Sequence, residues 1–172
     1  MHRSIEWYEE SERLQAALAR GGAFLTVNSP DGRANPMTIG WAQIGIVWSR
    51  PVLTVLVRES RHTYDCIREA SAFTVSVPRA GEFSEELLLC GTKSGRDIDK
   101  VVEGGLSLIA GQELDTPVIE GCVQHYECKI LARSQQTRPD FCADDVLASF
   151  YPNGDHHLLV FGEILAAYAQ GE

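Results

Sequence analysis

The 172-residue sequence has no Cys-x-x-Cys pair, no Gly-x-Gly-x-x-Gly and no Gly-x-x-x-x-Gly-Lys-[Ser/Thr]. The first absence removes the common redox-dithiol and zinc spacings. The other two leave a separate dinucleotide fold and a Walker-type phosphate loop unsupported. No apolar run approaches the length needed to span a bilayer. The opening stretch, MHRSIEWYEESERLQ, lacks the apolar core of a secretory signal. Basic residues are few, 15 against 24 acidic, for a net charge of -9. That balance disfavours a nucleic-acid partner, which needs a basic face. The five cysteines, Cys66, Cys90, Cys122, Cys128 and Cys142, are odd in number. Without an export signal they read as reduced thiols, so the expectation is a cytoplasmic protein with no membrane partner.

What is present is ordinary for a globular protein: 44% hydrophobic and 23% charged residues. One domain over 1–172 is expected, large enough to bury a core. A helix is predicted from residue 5 to about 20, with Trp7, Ser11, Leu14 and Leu18 on one face, ended by Gly21-Gly22. Ala23–Asn28 reads as a strand, and Pro30-Asp31-Gly32 as a hairpin turn. A second strand is expected from about Asn35 to Ala42, continuing over Ile44–Trp48 past a bend at Gly45. Arg50-Pro51 is read as a turn before the apolar run Val52–Val57. A helix over about Arg61–Ala70 follows, with Ser60 as candidate N-cap. Phe73–Val77 alternates like a half-buried strand. Glu82–Cys90 reads as helical, Gly91–Arg96 as a cationic loop and Asp97–Val102 as a short helix. Long strands are expected over Cys122–Ala132 and His156–Tyr168, with residues 133–145 an exposed loop and Asn153-Gly154 a turn. Strands early and late, with helices between and no βαβ alternation, imply a mainly β (α+β) fold. The expected architecture is an antiparallel barrel with peripheral helices.

Two stretches could hold an anion. At the helix start after Val57, unpaired N–H groups meet Arg58, Ser60, Arg61 and Thr63. The plain alternative is a capped helix with solvated arginines. In Gly91–Arg96, the glycines permit a nest of N–H groups, with Lys93, Ser94 and Arg96 as donors. Its alternative is a helix C-cap and a solvated turn. Gly40, within a strand beside Trp41, suggests close approach of a ligand or another backbone. Cys122-x-x-His125-x-x-Cys128 does not read as a metal site, because alternation on a strand points His125 away from both thiols. Asp155-His156-His157 follows a turn and reads as structural or solvated, and no Ser-His-acid set stands out.

Taken together, these segments resemble the flavin reductase-like, FMN-binding split-barrel family, and within it the flavoredoxin-type proteins. The resemblance runs through Ala23–Thr26, Asn35–Trp41, Val57–Tyr64, Phe73–Pro78, Cys90–Lys100, His125–Cys128 and Gly154–Glu163. It implies a Greek-key split barrel, a homodimer, and one FMN per protomer near the dimer interface. Asn35, Met37, Thr38 and Trp41 would line the flavin ring, partly through backbone groups. Ser60, Arg61 and Thr63 would meet the phosphate end, with Lys93, Ser94 and Arg96 nearby. His125 and Phe161 match positions that approach the flavin. Glu59 departs from the pattern, since many relatives carry proline there. The expected activity is hydride or electron transfer from NAD(P)H to flavin or a downstream acceptor. The alternatives are an electron carrier with tightly held FMN and a redox protein partner, or a non-catalytic module holding FMN or haem.

Overall fold

The computed structural model describes residues 2–170. In chain order the elements are β1 (His2–Ser4), α1 (Ser11–Arg20), β2 (Ala23–Asn28), β3 (Ala34–Ile39), β4 (Ala42–Val47) and β5 (Arg50–Arg58). Then come α2 (His62–Glu69), β6 (Ala72–Val77), α3 (Ser84–Thr92), α4 (Lys100–Glu103), β7 (Leu108–Ile109) and β8 (Val118–Ile119). The last are β9 (Gln124–Gln135), α5 (Asp144–Phe150) and β10 (His157–Gln170).

The main sheet runs β3-β2-β6-β9-β10-β5-β4, with β1 also on β10, and every pairing is antiparallel. β10 is its spine. Its first half, His157–Glu163, holds β5, its end holds β1, and β9 follows it throughout. Register shifts at Phe161/Gly162 and Ile164/Ala166 bend this strand and curl the sheet into a split barrel. A Cβ at Gly162 would lie 2.5 Å from the Phe73 ring and 2.7 Å from the Cys128 Cβ. Only glycine lets the barrel close that tightly.

β2 and β6 are buried on both faces, so apolar residues of both parities are used. Leu25, Val27, Phe73, Val75 and Tyr126 fill the barrel interior. Phe24 points the other way and packs with Leu87, Cys90, Ile119 and Cys122 beneath α3. Each large side chain buried this fully contributes about 1.5–3 kcal/mol relative to exposure.

Several boundaries differ from the expectation, each for a local reason. The first helix starts at Ser11, because residues 2–5 give their backbone groups to β10 and Glu10 adopts φ 55°. The chain bends at Gly40-Trp41 rather than at Gly45, which lies inside β4. Arg50 and Pro51 open β5. The turn before them uses Trp48 and Ser49, at φ 51° and 57°. Two positive φ values give the twist a tight hairpin needs, but Trp-Ser is not its usual signature. Arg61, not Ser60, is the N-cap residue of α2, and no side chain caps it. Gly91 and Thr92 continue α3, so the cationic loop begins at Lys93. Residues 133–145 are not one loop: β9 runs on to Gln135, Arg138–Asp140 form a 3-10 turn and α5 begins at Asp144. Cys122 precedes β9 and is buried in a different cluster from Cys128.

Candidate functional site

α2 follows β5 after the turn Glu59-Ser60-Arg61 and buries Thr63, Cys66 and Ile67, at i, i+3 and i+4, against the barrel. Asn35 Nδ2 donates to Thr63 Oγ1 at 2.8 Å, which ties β3 to the first turn of α2. The loop after α3 lies on the same turn. A Cβ on Gly95 would collide with the Asn35 carboxamide and the His62 ring. Arg96 donates to the Ser60 carbonyl at 3.2 Å and pairs with Asp65 at 2.6 Å. Arg61 Nη1 donates to the Gly91 carbonyl at 2.7 Å. Lys100 is buried, and its Nζ donates to the Pro36 and Cys90 carbonyls, both at 3.1 Å. Burial pulls its pKa down. Asn35, Ser60, Arg61, Thr63 and the Lys93–Arg96 loop are thus gathered around one helix start. Lys93 is exposed there, and Ser94 Oγ accepts from the Arg96 amide at 3.2 Å.

A crevice of about 170 Å³ opens beside this helix start. Of the residues singled out from sequence, Met37, Thr38, Trp41, Arg58 and Arg61 line it. Ile39, Gly40, Leu56 and His157 complete the wall. The Thr38 hydroxyl is turned away and donates to the Leu87 carbonyl at 2.6 Å.

The segment from α5 to β10 runs along the crevice mouth. Arg58 donates from Nη1 to the Asp155 carbonyl and from Nη2 to the Phe150 carbonyl, each at 3.0 Å. Its guanidinium lies 5.0 Å from the Tyr151 ring and 6.0 Å from the Trp41 ring. Trp41 stands edge-on to Phe150 with ring centres 5.1 Å apart. Ser60 gives its backbone N–H and its hydroxyl to the two oxygens of Asp155, both at 2.9 Å. His157 is buried, and Tyr151 Oη lies 2.6 Å from its Nδ1. Burial first, then Arg58, lowers the His157 pKa to about 4.

Two residues lie elsewhere. His125 is buried on β9, with Nδ1 3.1 Å from Ser76 Oγ and its ring 5.1 Å from Tyr168. Burial, then His2, lowers its pKa to about 3. Phe161, in mid-β10, packs against Trp48 with ring centres 5.8 Å apart. Neither lines the crevice.

Sequence reasoning missed His157 as a wall residue, and with it Tyr151, Phe150 and Asp155 as its support. His157 had a signal in Asp155-His156-His157, which reads equally well as a solvated turn. Tyr151 had none, because α5 was not anticipated.

The residues present fit a flat, phosphate-bearing ligand. Arg58, Arg61, Trp41, Ile39 and Gly40 share one concave surface in a chain of net charge -9. Gly95 provides the close approach that brings the cationic loop against Asn35 and His62, at the helix start beside that surface. Fold and site together define a split-barrel protein with a crevice suited to a planar anion.

The chain belongs to the flavin reductase-like family: the Flavin reductase like domain matches residues 15–172. A flavoredoxin from Methanosarcina acetivorans superposes with a TM-score of 0.67 at 28% identity, covering 88% of this chain and 69% of that one. An FMN-binding domain of a flavin reductases-like enzyme from Shewanella baltica OS155 has the same fold, with a TM-score of 0.67 at 21% identity. That match covers 98% of this chain and 77% of the other. An uncharacterized protein of Archaeoglobus fulgidus is 29% identical over 133 residues, covering 77% of this chain and 64% of its own length. This chain therefore spans less than two thirds of that relative.

Proposed function

We propose that this protein binds FMN in the crevice and passes hydride or electrons from NAD(P)H to flavin or to a downstream acceptor. The observation that carries the reading is the placement of Arg58 and Arg61 with Trp41 and Met37 on one wall beside the start of α2. Bound FMN would supply the redox chemistry, with a ring able to accept a hydride. The protein's own groups bind and orient. Arg61, with Lys93, Ser94 and Arg96, would hold the phosphate by charge and N–H donors. The main chain of residues 39–41 and the Met37 and Trp41 side chains hold the ring. Leu56 and Met37, apolar residues of the crevice wall, would exclude water from the ring.

The crevice, about 170 Å³, is smaller than the roughly 300–1,000 Å³ of a typical ligand pocket. A second protomer would supply the missing wall. Ile46 and Trp48, about 60% exposed, lie on β4 and its hairpin, and Leu165 is 43% exposed on β10. An apolar surface of this kind fits a homodimer contact. Sedimentation at two protein concentrations tests it, and a monomer at both rejects it. No helix among the described residues is long and apolar enough to cross a membrane. The five free cysteines, four of them buried, fit a reducing cytoplasm.

A second reading, an electron carrier without NAD(P)H turnover of its own, is supported by the likeness to the Methanosarcina flavoredoxin. Spectra of freshly purified protein, taken before and after anaerobic NADH or NADPH, separate the two. Rapid bleaching of the flavin bands supports the reductase. Flavin kept through desalting but unreduced by either donor supports the carrier. A protein that neither carries nor takes up flavin refutes both.

A further inference from the structure

His157 opens β10, is only 6% exposed and lines the crevice. Its Nδ1 lies 2.6 Å from the hydroxyl of Tyr151. Tyr151 is 4% exposed, and its Oη makes no other hydrogen bond among the described residues. A buried phenol with a single partner donates to it when that partner is a neutral imidazole nitrogen, since the reverse would leave the O–H unpaired. The imidazole is neutral at ordinary pH, because burial and the Arg58 guanidinium both oppose its protonation. Nδ1 is therefore the acceptor, and the ring hydrogen sits on Nε2. That N–H has no partner on the chain among the described residues. Trp41, tilted at 51° with ring centres 5.1 Å apart, packs against the ring and holds its plane.

We propose that His157 donates a hydrogen bond from Nε2–H into the crevice, to a carbonyl oxygen or ring nitrogen of the bound ligand, and that Tyr151 is the positioning residue that fixes this tautomer. The ligand class is a planar heteroaromatic with an acceptor edge. Where that edge gains negative charge on reduction, the bond strengthens, so the donor favours the reduced form. The ligand part of this inference rests on reading the crevice as the flavin site. The tautomer part stands on the free protein alone.

Two measurements test it. The first is a long-range 1H–15N spectrum of the ligand-free protein, which reports which ring nitrogen carries the hydrogen. The expected result is pyrrole-type Nε2 and pyridine-type Nδ1, with that fixed state lost in Tyr151→Phe. Hydrogen on Nδ1 overturns the tautomer assignment, and a Tyr151→Phe spectrum like the native one overturns the positioning role of Tyr151. The second is the ratio of dissociation constants for oxidised and reduced FMN, from equilibrium titration and the potential of the bound flavin. Loss of one hydrogen bond to a charged acceptor is on the order of tenfold. His157→Leu should shift the ratio about tenfold against the reduced form, with partial rescue in His157→Gln, whose amide can still donate. An unchanged ratio in a His157→Leu protein that still binds FMN overturns the donor role. If the native protein takes up no FMN, the ligand half falls with the flavin reading, and the nitrogen spectrum still decides the tautomer.

Discussion

Asp155 holds Ser60 by both of its donors: the backbone N–H and the hydroxyl each reach one carboxylate oxygen at 2.9 Å. A carboxylate from the loop before β10 thus sits at the start of α2, where an anion is favoured. The Ser60 donors are spent inside the protein, whereas Arg61 uses one nitrogen on the Gly91 carbonyl and retains others.

Ser60→Ala should therefore cost stability rather than affinity. Removing one charge-assisted hydrogen bond at a partly exposed site lowers unfolding free energy by about 1 kcal/mol. FMN affinity should stay within about twofold, since that bond is not made to the ligand. Urea denaturation and a flavin-fluorescence titration of the same variant check both halves. An affinity loss of the size expected for Arg61→Ala would show that the hydroxyl leaves Asp155 for the phosphate.

Gly95→Ala places a Cβ against the Asn35 carboxamide and the His62 ring. The loop must shift, at a cost of about 1–3 kcal/mol for overpacking. Because that loop carries Lys93, Ser94 and Arg96, the shift should also weaken FMN binding. Unchanged stability and unchanged affinity together would show that the contact relaxes freely.

The buried histidines make stability depend on pH. An unfolded His157 titrates near 6.5, while the fold lowers it to about 4. Above pH 6.5 this residue is neutral in both states and its contribution is complete. As pH falls, the unfolded chain binds the proton first, so stability declines from 6.5 down to about 4. His125 adds a similar decline that continues to about 3. Between pH 6 and 5 each group gives a slope of about 1 kcal/mol per pH unit. His157→Gln should remove one such increment from the slope of urea stability against pH. An unaltered slope would mean that His157 is not held neutral.

Much of the barrel was legible because strands announce themselves locally. Ala23–Asn28 matches β2, since the flanking Gly21-Gly22 and Pro30-Asp31-Gly32 fix its ends. The body of α2 was legible, since the expected helix over Arg61–Ala70 contains it, although the N-cap residue is Arg61 rather than Ser60. β1 was not, because its three residues are strands only by virtue of the edge that β10 offers them. The crevice was half legible. Met37, Trp41, Arg58 and Arg61 are close in sequence to the elements that hold them. His157 and Tyr151 arrive from a segment more than 90 residues after Arg58, brought back only by the β5–β10 pairing and the Arg58 hydrogen bonds. No local pattern encodes that return.

Whether Arg61 meets a bound phosphate is decided by titrating flavin-free protein with FMN, in parallel on the native chain and on Arg61→Ala. The native protein should bind saturably, and the variant should lose on the order of 1.5–3 kcal/mol, from one charged contact to the phosphate. Equal affinities, or no binding by either, would contradict it.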